Sequence, residues 1–333
     1  MKWFKSHGNE KDTVISSRVR FARNIAGYPF PSRLDSKTAV EVIGKIRKAY
    51  PDYTYTDFTK LDPTEARAYV ERHEVSSEFA EAKGPHGLLT SEKDGVSIML
   101  CEEDHMRIQC ITSGLSLKEA YEGACKADDI ADAALDIAFS EKLGYLTHCP
   151  TNLGTAMRAS VMMFLPAMTI HGQIPSLSAQ LQKIGLTLRG LYGEGSQGDG
   201  CLYQISNQVT LGISEDETLD KLSKVISQIS ASEKKLREND SKDEDLCDRI
   251  QRSEGILRYA RKISSSEFLR LYADIRFGIA IGAVKDIDYG KLDEVLIGSM
   301  PANLMINCGR QGAGDSERDV LRARYIKENL VGA

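Results

Sequence analysis

Apolar and polar residues alternate with period two in several short runs, the signature of strands with one buried face. In Val14–Phe21, Val19 and Phe21 oppose Arg18 and Arg20. In Met106–Ile111, Met106, Ile108 and Cys110 oppose Arg107 and Gln109, and in Leu186–Arg189, Leu186 and Leu188 oppose Thr187 and Arg189. Met157–Met163 fits either a strand, with Arg158 beside Ser160, or a short helix. Val96–Cys101 and Met106–Ile111 flank a polar turn, Glu102–His105, which predicts an antiparallel hairpin. Helices are expected over Lys37–Ala49, Pro63–His73 and Leu117–Leu143. The pattern predicts an α+β fold: an antiparallel β-sheet with helices on one side, over about residues 10–215.

After Gly212 the period changes. Leu219, Leu222, Ile226 and Ile229 recur at helical spacing. The charged run Glu233–Arg249 reads as a solvated helix face or a mobile linker, the solvated face being the simpler account. Further helices are expected over Ser265–Ile281, Tyr289–Ile297 and Arg318–Asn329, so this unit is mainly α-helical.

A chain of 333 residues suggests about two domains. Hydrophobic residues at 41% and charged residues at 27% exclude wholesale disorder. A net charge of −5 (43 basic against 48 acidic residues) argues against general nucleic-acid binding, which needs a basic footprint. The seven cysteines form no C-x-x-C pair, so free thiols in a reducing cytoplasm are expected rather than a disulfide scaffold or zinc ribbon. No H-x-x-x-H pair suggests a protein-held metal. No apolar stretch approaches the ~18 residues of a membrane span, and the first residues lack a signal-peptide core. A cytoplasmic location is expected.

The candidate chemistry begins with arginine. Arg18, Arg20, Arg107, Arg158 and Arg189 each lie on, or at the end of, the polar side of an expected strand. On one sheet they would converge, and converging guanidinium groups repel unless a polyanion such as phosphate lies among them. The alternative is five separate arginines, each paired with a local carboxylate. Two acids, Glu103 in the hairpin turn and Glu194 after Arg189, adjoin arginine-bearing strands, a placement that suits a cationic second substrate. Gly193–Gly198 fits G-x-G-x-x-G, but a strand follows where a dinucleotide-binding fold needs a helix. No protein-kinase elements or P-loop accompany it.

Four segments occur in order: Ser16-Ser17-Arg18-Val19-Arg20; Glu102-Glu103-Asp104-His105-Met106-Arg107; Cys149-Pro150-Thr151-Asn152-Leu153-Gly154-Thr155 with Arg158-Ala159-Ser160; and Arg189-Gly190-x-x-Gly193-Glu194. Over about residues 13–230 the chain resembles the catalytic domain of the phosphagen (guanidino) kinases. Within that superfamily it is most similar to the bacterial protein-arginine kinases. Only 15 residues precede Ser16, where small-molecule phosphagen kinases carry a helical domain, and the tail holds Arg318-Asp319-Val320-Leu321-Arg322-Ala323, matching their R-D-x-x-R-A element.

The resemblance implies a catalytic domain over 10–230 and a helical C-terminal domain over 231–333. It implies ATP with Mg²⁺ on the arginine face, the metal held through the nucleotide. The nucleotide-binding positions would be Ser16, Ser17, Arg18, Val19, Arg20, His73, Arg107, Arg158, Ala159, Ser160, Val161, Met162, Arg189, Gly190, Leu191, Tyr192, Gly193 and Glu194. Glu103 and Glu194 would clamp the acceptor guanidinium, with Glu103 the preferred base, and Cys149 would support them as the family's reactive cysteine. Cys101 departs from the family, which commonly has asparagine there. Arg318–Ala323 would form an allosteric phosphoarginine receptor. The implied activity is phosphorylation of arginine side chains in proteins, marking them for a Clp-type ATPase–protease and acting on a heat-shock repressor. A zinc-binding activator protein and a homodimer are implied as well, with no nucleic acid and no membrane. The rivals are a phosphagen kinase for free arginine or another small guanidino compound, and an inactive phosphoarginine-binding regulator.

Overall fold

The structure, a computed structural model, describes residues 3–5, 8–191 and 199–331. Ten strands occur among them: β1 Val14–Arg23, β2 Thr54–Asp57, β3 Gly87–Ser91, β4 Val96–Leu100, β5 Met106–Ser113, β6 Phe139–Ser140, β7 Gly144–Tyr145, β8 Met157–Phe164, β9 Leu186–Gly190 and β10 Leu202–Asn207. The first helices are α1 Ser36–Ala49, α2 Pro63–Glu71, α3 Ser77–Ala80, α4 Leu117–Ala134, α5 Pro166–Ile170 and α6 Ile174–Lys183. They are followed by α7 Glu215–Asp240, α8 Glu244–Tyr259, α9 Ser265–Ala280, α10 Tyr289–Gly298, α11 Pro301–Asn307 and α12 Asp315–Ile326.

Eight strands form one antiparallel sheet in the order β2-β3-β4-β5-β1-β8-β10-β9. The α+β expectation holds, and 157–164 is a strand. Alternation in the central strands sends Val19, Phe21, Ile108, Ala159, Val161 and Ile205 into a core roofed by α1, α4, α6 and α7. Helix α4 lies flat on the sheet through buried Ala120, Ala124, Ala127 and Ala131. It stops at Ala134 rather than Leu143 because that small-residue stripe ends; the chain turns extended at Leu135 and forms the β6–β7 hairpin. The helices do not all lie on one side. α2 and α3 cover the β3–β4 end of the opposite face through Phe58, Phe79, Leu88 and Met99, leaving the middle of that face open.

The C-terminal helices gather around a second core that includes Phe268, Tyr272, Phe277, Leu292 and Ile326. α7 is continuous across residues 230 and 231, and Leu236 packs against both cores. The charged run starting at Glu233 is neither wholly solvated nor a linker. Glu233 is fully buried and accepts from the Ala167 and Met168 amides at the start of α5 and from Arg237 Nε at 2.8 Å. A charge count cannot foresee this, since these residues belong to the helical period that continues past Ile229.

Candidate active site

Register places the arginines on one face. In β1 and β8, Arg20 pairs opposite Arg158 and Arg18 opposite Ser160. Arg107 in β5 lies opposite Ala22, and Arg189 in β9 opposite Gln204. Directly opposed residues of an antiparallel ladder share a face, so all five guanidinium stems rise from the side left open by α2 and α3. Arg189 is exposed; the other four are part-buried.

Two of these side chains each carry an orphaned nitrogen. Arg20 Nε and Arg158 Nε are buried with no hydrogen-bond acceptor among the described residues, although Arg158 also donates to Ser206 Oγ at 3.1 Å. Arg18 Nε donates to Ser160 Oγ at 3.3 Å, a neutral acceptor. Burial, then repulsion from Arg107 and Arg158, pushes the Arg18 pKa down to about 9. Arg20 is driven the same way by burial and by Arg18, Arg107 and Arg158. Burial followed by Arg189 and Arg107 lowers Arg158. A face whose cations are held apart from counter-charge in this way is built to receive an anion.

Arg107 is the exception, because Glu102 takes its NH1 at 2.6 and 2.7 Å and accepts from Ser76 Oγ at 2.7 Å. Burial alone would raise the Glu102 carboxyl; the Arg107 charge and the two hydrogen-bond donors outweigh it and hold the group below the usual carboxylate range. Among the described residues the local-carboxylate alternative is therefore right for Arg107 alone.

The hairpin turn Glu102–His105 is locked from behind. Asp104, buried, accepts from Asn24 Nδ2 at 2.7 Å and from the His148 amide at 2.8 Å. His105 Nδ1 accepts from the Ile25 amide at 3.0 Å, and its Nε2 lies 2.9 Å from Pro29 O, which requires the proton on Nε2. Those bonds tie the turn to the segment leading into Cys149. Glu103, half-exposed, has His148 Nδ1 at 3.7 Å, and Cys149 Sγ lies 3.0 Å from Thr151 Oγ1. Asn24 and His148 carry no signal in the sequence, and Asp104 enters it only within the run Glu102–Arg107, because no periodicity marks a turn-locking residue. The Asn152-Leu153-Gly154-Thr155 run is explained by backbone crowding. At Gly154 φ is +97°, and a Cβ would sit 2.2 Å from Thr210 O.

The remaining expected positions separate by strand parity. Val19, Ala159 and Val161 point into the core behind the sheet, so only their backbone borders the face. Ser17 Oγ is engaged with Gly114 O and the Ser116 amide. Ser160 and Met162 share the arginine face, and His73, at φ +61°, leans over it from the end of α2. Burial, then Arg18, pushes the His73 imidazole down to about 4. Tyr192, Gly193 and Glu194 lie outside the described residues. Cys101 sits at φ +58°, its thiol pushed up to about 12 by burial. In α12, Arg322 is buried and donates to Ser299 O, Ile263 O and Asp319, so the salt-bridged exposed helix is only part of the picture. Arg318 bonds Ala313 O and Asp315, Val320 is exposed, Leu321 is half-buried and Ala323 is buried.

Residues 36–236 match the model of the ATP:guanido phosphotransferase C-terminal catalytic domain, which sets the class: a guanido phosphotransferase. The strand bearing Arg18 and Arg20 precedes that span but is central to the same sheet. Residues 243–333 match the C-terminal domain of the protein-arginine kinase McsB. The chain is 43% identical over 331 residues to a protein-arginine kinase of Caldanaerobacter subterraneus subsp. tengcongensis, covering 96% of this chain and 98% of that one. It is 40% identical over 340 residues to one from Desulforamulus reducens, covering 99% and 95%. The chain belongs to the protein-arginine kinase family. Its fold is similar to that of the duplicated taurocyamine kinase of Schistosoma mansoni (TM-score 0.61, 24% identity), covering 81% of this chain and 40% of that one. A lombricine kinase structure is similar at TM-score 0.59 and 24% identity, covering 71% of this chain and 70% of that one. Among the described residues no helix is long and apolar enough to cross a membrane.

Proposed function

We propose that this chain transfers the γ-phosphoryl group of ATP to the guanidinium of arginine residues in proteins. The observation that carries the reading is the face of under-partnered arginines running up to the acid-bearing Glu103 turn. A polyanion would lie along the arginines and a cationic acceptor would meet its end at Glu103. Transfer of this kind is achieved by positioning and by neutralising the equatorial oxygens, which Arg20, Arg107, Arg158 and Arg189 would do. A guanidinium nitrogen is protonated at neutral pH. Glu103, aided by Glu194, would orient it and take its proton as the P–N bond forms and the bond to the leaving diphosphate breaks. Cys149 would support that clamp. Among the described residues no cluster of three His, Cys, Asp or Glu offers a metal cage; Mg²⁺ would be carried by the nucleotide and add positive charge to the transferring group.

The test is incubation of the full chain with ATP, Mg²⁺ and an arginine-rich protein, and in parallel with free arginine. Mass spectrometry under conditions that preserve acid-labile phosphoramidate then locates the product. Phosphate on protein arginines is expected. Labelling of free arginine alone would favour the small-guanidine rival, and no transfer would favour an inactive regulator.

The family resemblance extends the proposal to a cytoplasmic setting, a zinc-binding activator, a Clp ATPase–protease, a heat-shock repressor and a homodimer. It also makes Arg318–Ala323 a phosphoarginine receptor. With Arg322 committed to backbone carbonyls, the accessible charges of that element are Arg318 and Asp319, whose side chains are 26% and 27% exposed. Asp319→Ala should remove stimulation by added phosphoarginine and leave basal transfer intact; an unchanged response would leave α12 a structural helix.

A further inference from the structure

The N-terminal segment reaches the far end of the arginine face. Trp3 and Phe4 lie in a short 3-10 turn, both buried, with Phe4 edge-on to Trp3 at 5.4 Å. The Trp3 indole Nε1–H donates to Arg72 O at 3.1 Å, and its ring centroid is 5.8 Å from that of His73. Arg72 is itself fixed: its guanidinium bonds Glu74 and Asn303 Oδ1, while neighbouring Glu71 accepts from the Ala302 and Asn303 amides of α11. The indole is thus held between the end of α2 and the second core, to which Trp3 and Phe4 belong.

Trp3 and His73 wall a cavity of about 70 Å³ whose lining includes Arg18, Ile111, Met162 and Leu191. Strand geometry orients it. Ile111 and Met162 lie four residues beyond Arg107 and Arg158 along β5 and β8, and Ser16, also in the lining, lies four before Arg20 in β1. At about 3.3 Å per residue that is a displacement of about 13 Å. A phosphate chain whose transferring end meets Glu103 at the Arg20–Arg107–Arg158 end would carry the rest of the nucleotide toward this cavity. The cavity shares His73 and Leu191 with a wider groove of about 580 Å³ between α2–α3 and α11, which gives a base room at its outer edge.

We propose that Trp3, together with His73, forms the aromatic wall against which the nucleotide base packs, and that Trp3 supplies the preference for a nucleotide over a bare polyphosphate. The two rings are tilted by 43° and too close for a base to slide between them, so they act as one surface. Aromatic rings suit this task because every base has a stacking face. The inference rests on the arginine face being the ATP site.

Trp3 is the chain's one tryptophan, so emission from the full-length protein reports on this wall directly. ADP and inorganic tripolyphosphate are titrated separately, with calorimetry alongside. ADP is expected to change Trp3 emission saturably, and tripolyphosphate to bind with little change. Trp3→Ala should raise KM for ATP about tenfold, or about 1.4 kcal/mol, with kcat and the KM for the protein acceptor within about twofold and tripolyphosphate binding unchanged. Trp3→Phe should recover most of the loss. Binding of both ligands with emission silent to ADP, or equal responses to the two, overturns the proposal, as does an unchanged KM for ATP in Trp3→Ala. If neither ligand binds, the arginine-face reading itself has failed. Should Trp3→Ala not fold, the titration of the unsubstituted protein decides alone.

Discussion

Buried and part-buried arginines occur in two settings in this molecule. In and beside the C-terminal core they have carboxylate partners, Arg276 with Asp293, Arg237 with Glu233 and Arg322 with Asp319, as does Arg23 at the end of β1 with Asp128. Arg276 is raised above the ordinary arginine value because Asp293, then Tyr272 and Tyr289, outweigh the effect of burial, whereas at Arg322 burial outweighs Asp319 and the group is lowered. On the open face of the sheet, Arg18, Arg20 and Arg158 are lowered and have no carboxylate hydrogen bond among the described residues; an orphaned buried Nε, by contrast, occurs in both settings, at Arg20, Arg158 and Arg276. The side chain is the same; the paired set is buried and the open-face set part-buried, and the counter-charge differs. An arginine paired inside the protein holds the fold. One left without a carboxylate is, in the function we propose, where an anion from outside belongs.

That contrast can be broken in four places. The largest effect is expected at the acceptor end, where Glu103→Gln should lower transfer by about 10²–10⁴ while calorimetry shows ATP still binding; Glu194→Gln should act in the same direction less severely. Undiminished turnover at saturating ATP would remove Glu103 from the mechanism. Next, Arg276→Met strips the partner from buried Asp293 and should cost about 3–5 kcal/mol in denaturant unfolding. A loss under about 1 kcal/mol would mean the pair is not structural.

Arg158→Met should do the reverse: weaken ATP binding by about 1.5–3 kcal/mol without lowering stability in the absence of nucleotide, because it relieves repulsion. A fall in melting temperature comparable to that of Arg276→Met would erase the distinction between the two settings. The smallest effect concerns pH. The folded state holds His73 at about 4 against an ordinary 6.5, so the unfolded chain binds more protons between those values. Stability should therefore be full above about pH 6.5 and fall as pH drops toward about 4. His73→Gln should flatten that part of the profile, and an unchanged slope would contradict the burial of a neutral ring.

The arginine face is legible in the sequence because it is a period-two signal: Arg18, Arg20, Arg107, Arg158 and Arg189 each oppose apolar neighbours, and one register aligns them. The acid at Glu103 is legible through its place in a hairpin turn. Residues that act through the tertiary fold are not. Asp104 and Asn24 are polar residues at loop positions until their side chains meet across 80 residues of chain. Glu233 and Arg237 are hidden in a run of charges, since sequence reports charge but not which side of a helix is covered. Trp3 is, in the sequence, one aromatic near the start; its meeting with His73 depends on how α2 ends.

The most direct measurement is calorimetric titration of ATP into the unsubstituted chain, Arg20→Met, Arg158→Met and Arg252→Met, the last removing an exposed pair with Asp248 on α8. The account predicts affinity lost by about tenfold or more in Arg20→Met and Arg158→Met and retained in Arg252→Met. Equal affinity across all four proteins would contradict it, for the under-partnered arginines would then not be the nucleotide site.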